Sequence, residues 1–201
     1  MPSFDILEFS HVGFVVASID EFCASWGALL GVDRWTGQEA TQQPGIFQLH
    51  GELVTEPVRT RVAYARVGGL PVELVEPGDG PSRAAEWLAA HGSGLQHIAM
   101  WVRDLPAELA RLDGQAEVSY SPAALVPALA SRPVAAAVTA APGQVAPRPP
   151  FWAYLEPRAG QPVNCTLELL DARFAHAYRE VYGDASYYPG DLPGAATRQQ
   201  S

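Results

Sequence analysis

The chain has 201 residues, 48% hydrophobic and 17% charged, enough to build one large domain or two fused modules around a core. A formal net charge of −9 with no basic cluster excludes a nucleic-acid partner, since nothing is available to neutralise phosphates. All thirteen basic residues are arginines, which also excludes Schiff-base or general-base chemistry on a lysine.

Met1-Pro2-Ser3-Phe4-Asp5 lacks the basic and apolar regions of a signal peptide, and no apolar run is long enough to span a bilayer. A cytoplasmic setting without membrane contact is expected. Cys23 and Cys165 fit no CxxC or zinc-finger spacing and read as buried thiols in a reducing compartment.

Phe9 to Val16 reads as a strand, with His11, Gly13 and Val15 on one face and Val12, Phe14 and Val16 on the other. Ser18 caps a helix in which Phe22, Trp26, Leu29 and Leu30 recur at helical spacing, and Gly31 ends it. Ile46 to His50, Arg61 to Val67 and Pro71 to Glu76 read as the following strands, with Gly68-Gly69 as the turn between the last two. Glu76 reads as a residue facing water, opposite Glu73. Residues 1–80 thus form a first βαβββ module, and residues 81–93 a connecting helix with Trp87 and Leu88 as its apolar contacts.

Residues 94–171 repeat the plan. Gln96 to Val102 is a strand, and Asp104 caps a helix with Pro106 in its first turn and Leu105, Leu109 and Leu112 on one side. Ala116 to Tyr120, Phe151 to Leu155 and Asn164 to Leu170 complete the module. Its Ala/Pro-rich insertion, residues 121–150, carries too many prolines for a long helix or a central strand. Residues 172–201 supply a C-terminal helix from Ala172 to Tyr182 and a tail that lacks apolar periodicity and reads as partly loose.

The two modules echo each other. His11-Val12-Gly13-Phe14-Val15-Val16 returns as His97-Ile98-Ala99-Met100-Trp101-Val102, an offset of 86 residues (97 − 11). Val62-Ala63-Tyr64 leads to the strand carrying Glu73, and Trp152-Ala153-Tyr154 leads to the strand carrying Glu168. If the modules pair about a pseudo-twofold axis, His11, Glu73, His97 and Glu168 converge. Two imidazoles and two carboxylates suit one divalent metal ion: Zn, Co, Ni, Mn or Fe. Such an ion polarises a carbonyl as a Lewis acid. His50 and His91 read as surface or packing residues.

This doubled arrangement, His first and Glu last, resembles the vicinal oxygen chelate superfamily of glyoxalases, bleomycin resistance proteins and dioxygenases. Leu70-Pro71-Val72-Glu73-Leu74-Val75-Glu76-Pro77, Ala84 to Gly92 and Gly94-Leu95-Gln96-His97-Ile98-Ala99 look closest to its methylmalonyl-CoA epimerase-like branch. The resemblance implies an α+β fold, two tandem βαβββ modules forming a concave mixed-sheet cleft. It places His11, Glu73, His97 and Glu168 on the four ligand positions, and an acidic base near Glu56. Gln96 stands where the epimerases usually carry His.

Three functions are compatible with these residues. The first is a metal-dependent lyase or isomerase that moves a proton beside a carbonyl through an enolate, with Glu168, Glu73 or Glu56 as the base. Its substrate is a small molecule with adjacent oxygens, and Val15, Val75, Ala99, Trp101 and Leu170 are expected to wall the cleft. The second is an extradiol-type dioxygenase holding Fe(II) on His11, His97 and Glu168, which Glu73 argues against by filling a position that oxygen needs open. The third is a non-catalytic binding or resistance protein. A homodimer is expected by likeness to the family.

Overall fold

The structure, a computed structural model, describes residues 4–111, 114–125, 152–158 and 164–191. Ten strands form one curled mixed sheet. In chain order these are β1 (Ile6–Val15), β2 (Thr36–Gln42), β3 (Phe47–Leu49), β4 (Glu52–Leu53), β5 (Val58–Val67), β6 (Leu70–Pro77), β7 (Gly94–Val102), β8 (Ala116–Pro122), β9 (Trp152–Pro157) and β10 (Thr166–Asp171). Their order across the sheet is β2-β5-β6-β1-β7-β10-β9-β8-β3-β4. The halves β2-β5-β6-β1 and β8-β9-β10-β7 mirror one another. They join where β1 and β7 pair antiparallel, so both halves of the cleft come from one chain.

Helices α1 (Ile19–Phe22) and α3 (Leu105–Arg111) cover the convex face. Beneath α1 lie Val12, Phe14, Ala63, Val72 and Leu74; beneath α3 lie Met100, Val102, Ala153 and Leu169. Residues of opposite parity on the same strands face the concave side. There α2 (Arg83–His91) and α4 (Ala175–Tyr182) pack. Burial on both faces explains why these strands read as nearly continuous apolar runs.

Caps match the residues that favour them. The hydroxyl of Ser18 accepts the Glu21 amide and that of Ser82 accepts the Ala85 amide. Gly92 ends α2 at φ 73, a conformation that a side chain disfavours. The Asp104 carboxylate accepts from Ala107 at the start of α3. Of the apolar stripe expected on α3, Leu105 is buried and Leu109 partly so, while Leu112 lies outside the described residues.

Four sequence expectations are corrected. The strand expected at Ile46 to His50 exists as β3, but it pairs with β8 at the far edge of the second half. The strand that completes the first half is β2, Thr-Gly-Gln-Glu-Ala-Thr-Gln, a half-exposed edge with no apolar alternation to announce it. Helix α1 runs into a π turn at Cys23–Gly27. The extra residue in that turn rotates the following side chains away from the sheet. Trp26 and Leu29, expected against the core, are 60% and 82% exposed, and Gly27 takes the buried position. Glu76 does not simply face water: its carboxylate accepts the Ile19 amide at the start of α1 and pairs with Arg61. Finally, the segment after α4 is clamped as far as Asp191; residues 192–201 lie outside the described set, as does most of the insertion, residues 126–150.

The two cysteines are free and half-buried. Among the described residues no helix is long and apolar enough to cross a membrane.

Candidate metal centre

Strand register builds the site. Parallel pairing of β6 with β1 sets Glu73 beside Gly13, and antiparallel pairing of β1 with β7 sets Gly13 beside His97. The second row is its counterpart: β10 sets Glu168 beside Ala99, and Ala99 lies beside His11. Each row runs carboxylate, small residue, imidazole. The small residue gives the imidazole room to lean across. At Gly13 this space is essential, because a Cβ there would lie 1.8 Å from His97 Cε1.

The four side chains are buried and point at one another. His11 Nε2 lies 3.2 Å from Glu73 Oε2 and 3.2 Å from Glu168 Oε2. His97 Nε2 lies 3.0 Å from Glu73 Oε2 and 3.4 Å from Glu168 Oε2, and the two Nε2 atoms are 3.3 Å apart. Ligands about 2.1 Å from an ion sit about 3.0 Å apart at right angles and about 3.4 Å apart at the tetrahedral angle. The observed separations span that interval.

Hydrogen bonding points the same way. Glu168 Oε2 is buried with no donor aligned to it, although both Nε2 atoms are close. His97 Nδ1 donates to Gln96 Oε1 at 2.6 Å, since an amide oxygen can only accept. His11 Nδ1 lies 3.0 Å from Ser10 Oγ. A proton on each Nδ1 leaves each Nε2 lone pair facing the centre, the arrangement that metal-binding histidines use.

The buried charges need an opposite charge among them. Burial works against a cationic His11, but the carboxylates of Glu168 and Glu73 beside it outweigh that and raise the pKa to about 9. Burial works against an ionised Glu73, yet His11 and His97 hold its carboxyl well below the usual carboxylate range. A divalent cation would balance two carboxylates beside two neutral imidazoles. The cluster could therefore hold such an ion.

Aromatic rings enclose the centre. Tyr64, opposite Glu73 in β5, and Tyr154, opposite Glu168 in β9, lie edge-on or tilted to His11 and His97 at 5.4 and 5.1 Å. Tyr178 of α4 stacks on His11 at 6.3 Å and shares a short hydroxyl–hydroxyl contact with Tyr64. None of these tyrosines was singled out as functional from sequence; the Tyr64/Tyr154 echo was the available signal.

The structure does not bring every expected residue here. Glu56 is exposed and lines a shallow surface depression with Thr41, Pro57, Arg59, Asp79 and Gly80, so it is not placed as a base beside the four ligand atoms. The five expected wall residues lie on the concave face but beneath helices. Val15 and Val75 pack under Trp87 of α2, and Ala99, Trp101 and Leu170 pack against Tyr178 and Tyr182. His50 is half-exposed and pairs with Glu86 and Glu117; His91 packs on Trp87.

Among solved structures, the chain is similar to a hypothetical protein from Bacillus halodurans C-125, at 18% identity and TM-score 0.44, over 82% of this chain and 93% of that one. It is similar to methylmalonyl-CoA epimerase from Mycobacterium tuberculosis at 18% identity and TM-score 0.43, over 85% and 91%. A variant of 4-hydroxymandelate synthase from Streptomyces coelicolor matches at 18% identity and TM-score 0.45, over 82% of this chain and 49% of that one. No curated protein matches the chain. Residues 10–125, more than half of the chain, match the Glyoxalase/Bleomycin resistance protein/Dioxygenase superfamily, and the chain belongs to that superfamily.

Proposed function

We propose that the protein is a metal-dependent lyase or isomerase that transfers a proton beside the carbonyl of a small substrate with adjacent oxygens. The observation that carries this reading is the buried four-atom cluster of His11, Glu73, His97 and Glu168 at coordination spacing. When bound there, a divalent ion supplies a Lewis acid that stabilises negative charge on a substrate oxygen.

The chain's own residues divide the remaining work. Glu73, held strongly acidic by two imidazoles, is suited to stay ionised and bind rather than accept a proton. Glu168, whose Oε2 has no aligned donor, is the carboxylate free to take the proton from the substrate carbon. The surrounding rings exclude water, which strengthens each electrostatic contact. Catalysis on this reading requires the ring cover to part for the substrate.

Two measurements together test the proposal. Wild type purified with divalent metal should retain about one ion per chain, and His97→Ala should lose it. With 2-oxo or 2-substituted acyl compounds in D₂O, wild type should exchange the carbon-bound proton and Glu168→Gln should not. Stoichiometric metal in wild type without exchange on any such compound would leave the metal centre standing and remove the lyase or isomerase reading.

A further inference from the structure

Ser186 lies 176 positions from Ser10, outside the family-matched residues, and both are fully buried. The hydroxyls of Ser10 and Ser186 are 3.0 Å apart, and Ser10 Oγ is also 3.0 Å from His11 Nδ1. Two carbonyls lie within reach of the Ser186 hydroxyl, that of Ser10 at 3.4 Å and that of Tyr187 at 3.5 Å. A carbonyl can only accept. With the Ser186 proton on a carbonyl, its oxygen accepts the Ser10 proton. The Ser10 oxygen then accepts from His11 Nδ1. Every bond in the chain runs one way, and the His11 Nε2 lone pair faces the centre.

We infer that Ser186 is a positioning residue for the metal centre, setting the His11 tautomer through the Ser10 hydroxyl. Without it, the Ser10 hydroxyl is free to donate to Nδ1, which moves the ring proton to Nε2 and occupies the ligand lone pair. His97 has no such dependence, because Gln96 Oε1 has no proton to give. The segment carrying Ser186 is held from three strands. Arg66 of β5 donates to the Asp184 and Ser186 carbonyls, Trp101 Nε1 of β7 donates to the Tyr187 carbonyl at 2.7 Å, and the Gly190 amide donates to Glu8 of β1 at 2.6 Å. The Arg66 guanidinium also covers the Tyr187 ring.

The inference rests on the metal reading of the cluster, and one experiment separates the two. Wild type, Ser186→Ala and Ser186→Thr are freed of metal, checked for cooperative thermal unfolding, and titrated with Co(II) against a chelator. The Co(II)-loaded proteins are then examined by proton NMR for the paramagnetically shifted, exchangeable imidazole N–H resonances. Wild type should show two such resonances. Ser186→Ala should bind Co(II) roughly 10–100-fold more weakly, as loss of an outer-shell partner does elsewhere. Its His11 N–H should exchange faster while the His97 N–H is unchanged, and Ser186→Thr, which restores a hydroxyl, should recover both. If Ser186→Ala fails to fold, Ser186→Cys, which keeps the side-chain volume but replaces the hydroxyl by a weak acceptor, carries the same expectations. Unchanged affinity and exchange in the alanine variant would overturn the inference while leaving the metal centre intact. So would a loss that threonine does not rescue, because that reports packing. Absence of Co(II) binding by wild type would overturn both readings.

Discussion

Gly13→Ala is the sharpest probe of how the sheet assembles the cluster. A Cβ at Gly13 would stand 1.8 Å from Cε1, 2.1 Å from Nε2 and 2.4 Å from Nδ1 of His97. Ordinary contact needs about 3.4 Å or more, so the ring must retreat by roughly 1.5 Å, whereas metal–ligand distances tolerate about 0.2 Å. The strand backbone cannot yield instead, because Gly13 is paired on both sides, with Glu73 and with His97. If the cluster holds a metal ion as proposed, the variant loses one ligand of four. Sites worth about 10–16 kcal/mol in total lose about 3 kcal/mol on that basis, a weakening of roughly 100-fold. Overpacking costs the metal-free fold about 1–3 kcal/mol in addition. Chelator competition with Zn(II) or Co(II) measures the affinity, and urea unfolding of the metal-free protein measures the fold. Wild-type affinity in a folded Gly13→Ala protein would refute the claim that His97 occupies the space over Gly13 to reach the centre.

Three further outcomes follow from the same geometry. In the metal-free protein, His11 has a folded pKa of about 9 against an ordinary 6.5. Its contribution, about 3 kcal/mol, is fully present below pH 6.5 and lost as pH rises through about 9. Glu73, held below the carboxylate range, contributes above its ordinary value of 4.5 and loses that contribution as pH falls. Urea midpoints of the metal-free protein should accordingly fall between pH 6.5 and 9, while metal affinity, which needs neutral imidazoles, should rise; a flat midpoint contradicts the His11 assignment. Gln96→Leu removes the acceptor for His97 Nδ1 and should weaken metal binding roughly 10–100-fold, with Gln96→Glu retaining it; equal affinities for all three proteins would dismiss the role. Trp87→Ala should destabilise the fold by about 3–5 kcal/mol in urea denaturation, because its 3%-exposed indole anchors α2 over Val15 and Val75; a change under 1 kcal/mol would mean that α2 is not held there.

The repeat was legible because the two modules keep paired residue types in the same order, at offsets of 86 residues for His11/His97 (97 − 11) and 90 for Tyr64/Tyr154 (154 − 64). His11/His97 and Tyr64/Tyr154 needed no structure to be matched. Strands buried on both faces carry strong apolar runs, so β1, β6, β7 and β10 could be read, and Ser18, Ser82, Asp104 and Gly92 mark their helix ends by local chemistry. Polar edge strand β2 and the π turn after α1 leave no such periodic signal, which is why the sequence places the Ile46–His50 strand in the first module and groups Trp26 and Leu29 with the apolar stripe of α1.

What the sequence determined by itself was the pairing of two histidines with two glutamates and the double module. Those depend on residue type and spacing along the chain. Only the tertiary structure decided which neighbours complete the centre. Gly13 under His97 follows from inter-strand register, and Ser186 behind Ser10 comes from a segment clamped by Arg66, Trp101 and Glu8. The exposure of Glu56 in a surface depression and the burial of Trp101 and Leu170 beneath α4 were decided in the same way. Contacts between residues far apart in sequence depend on how separate elements pack, and neither composition nor local periodicity encodes that packing.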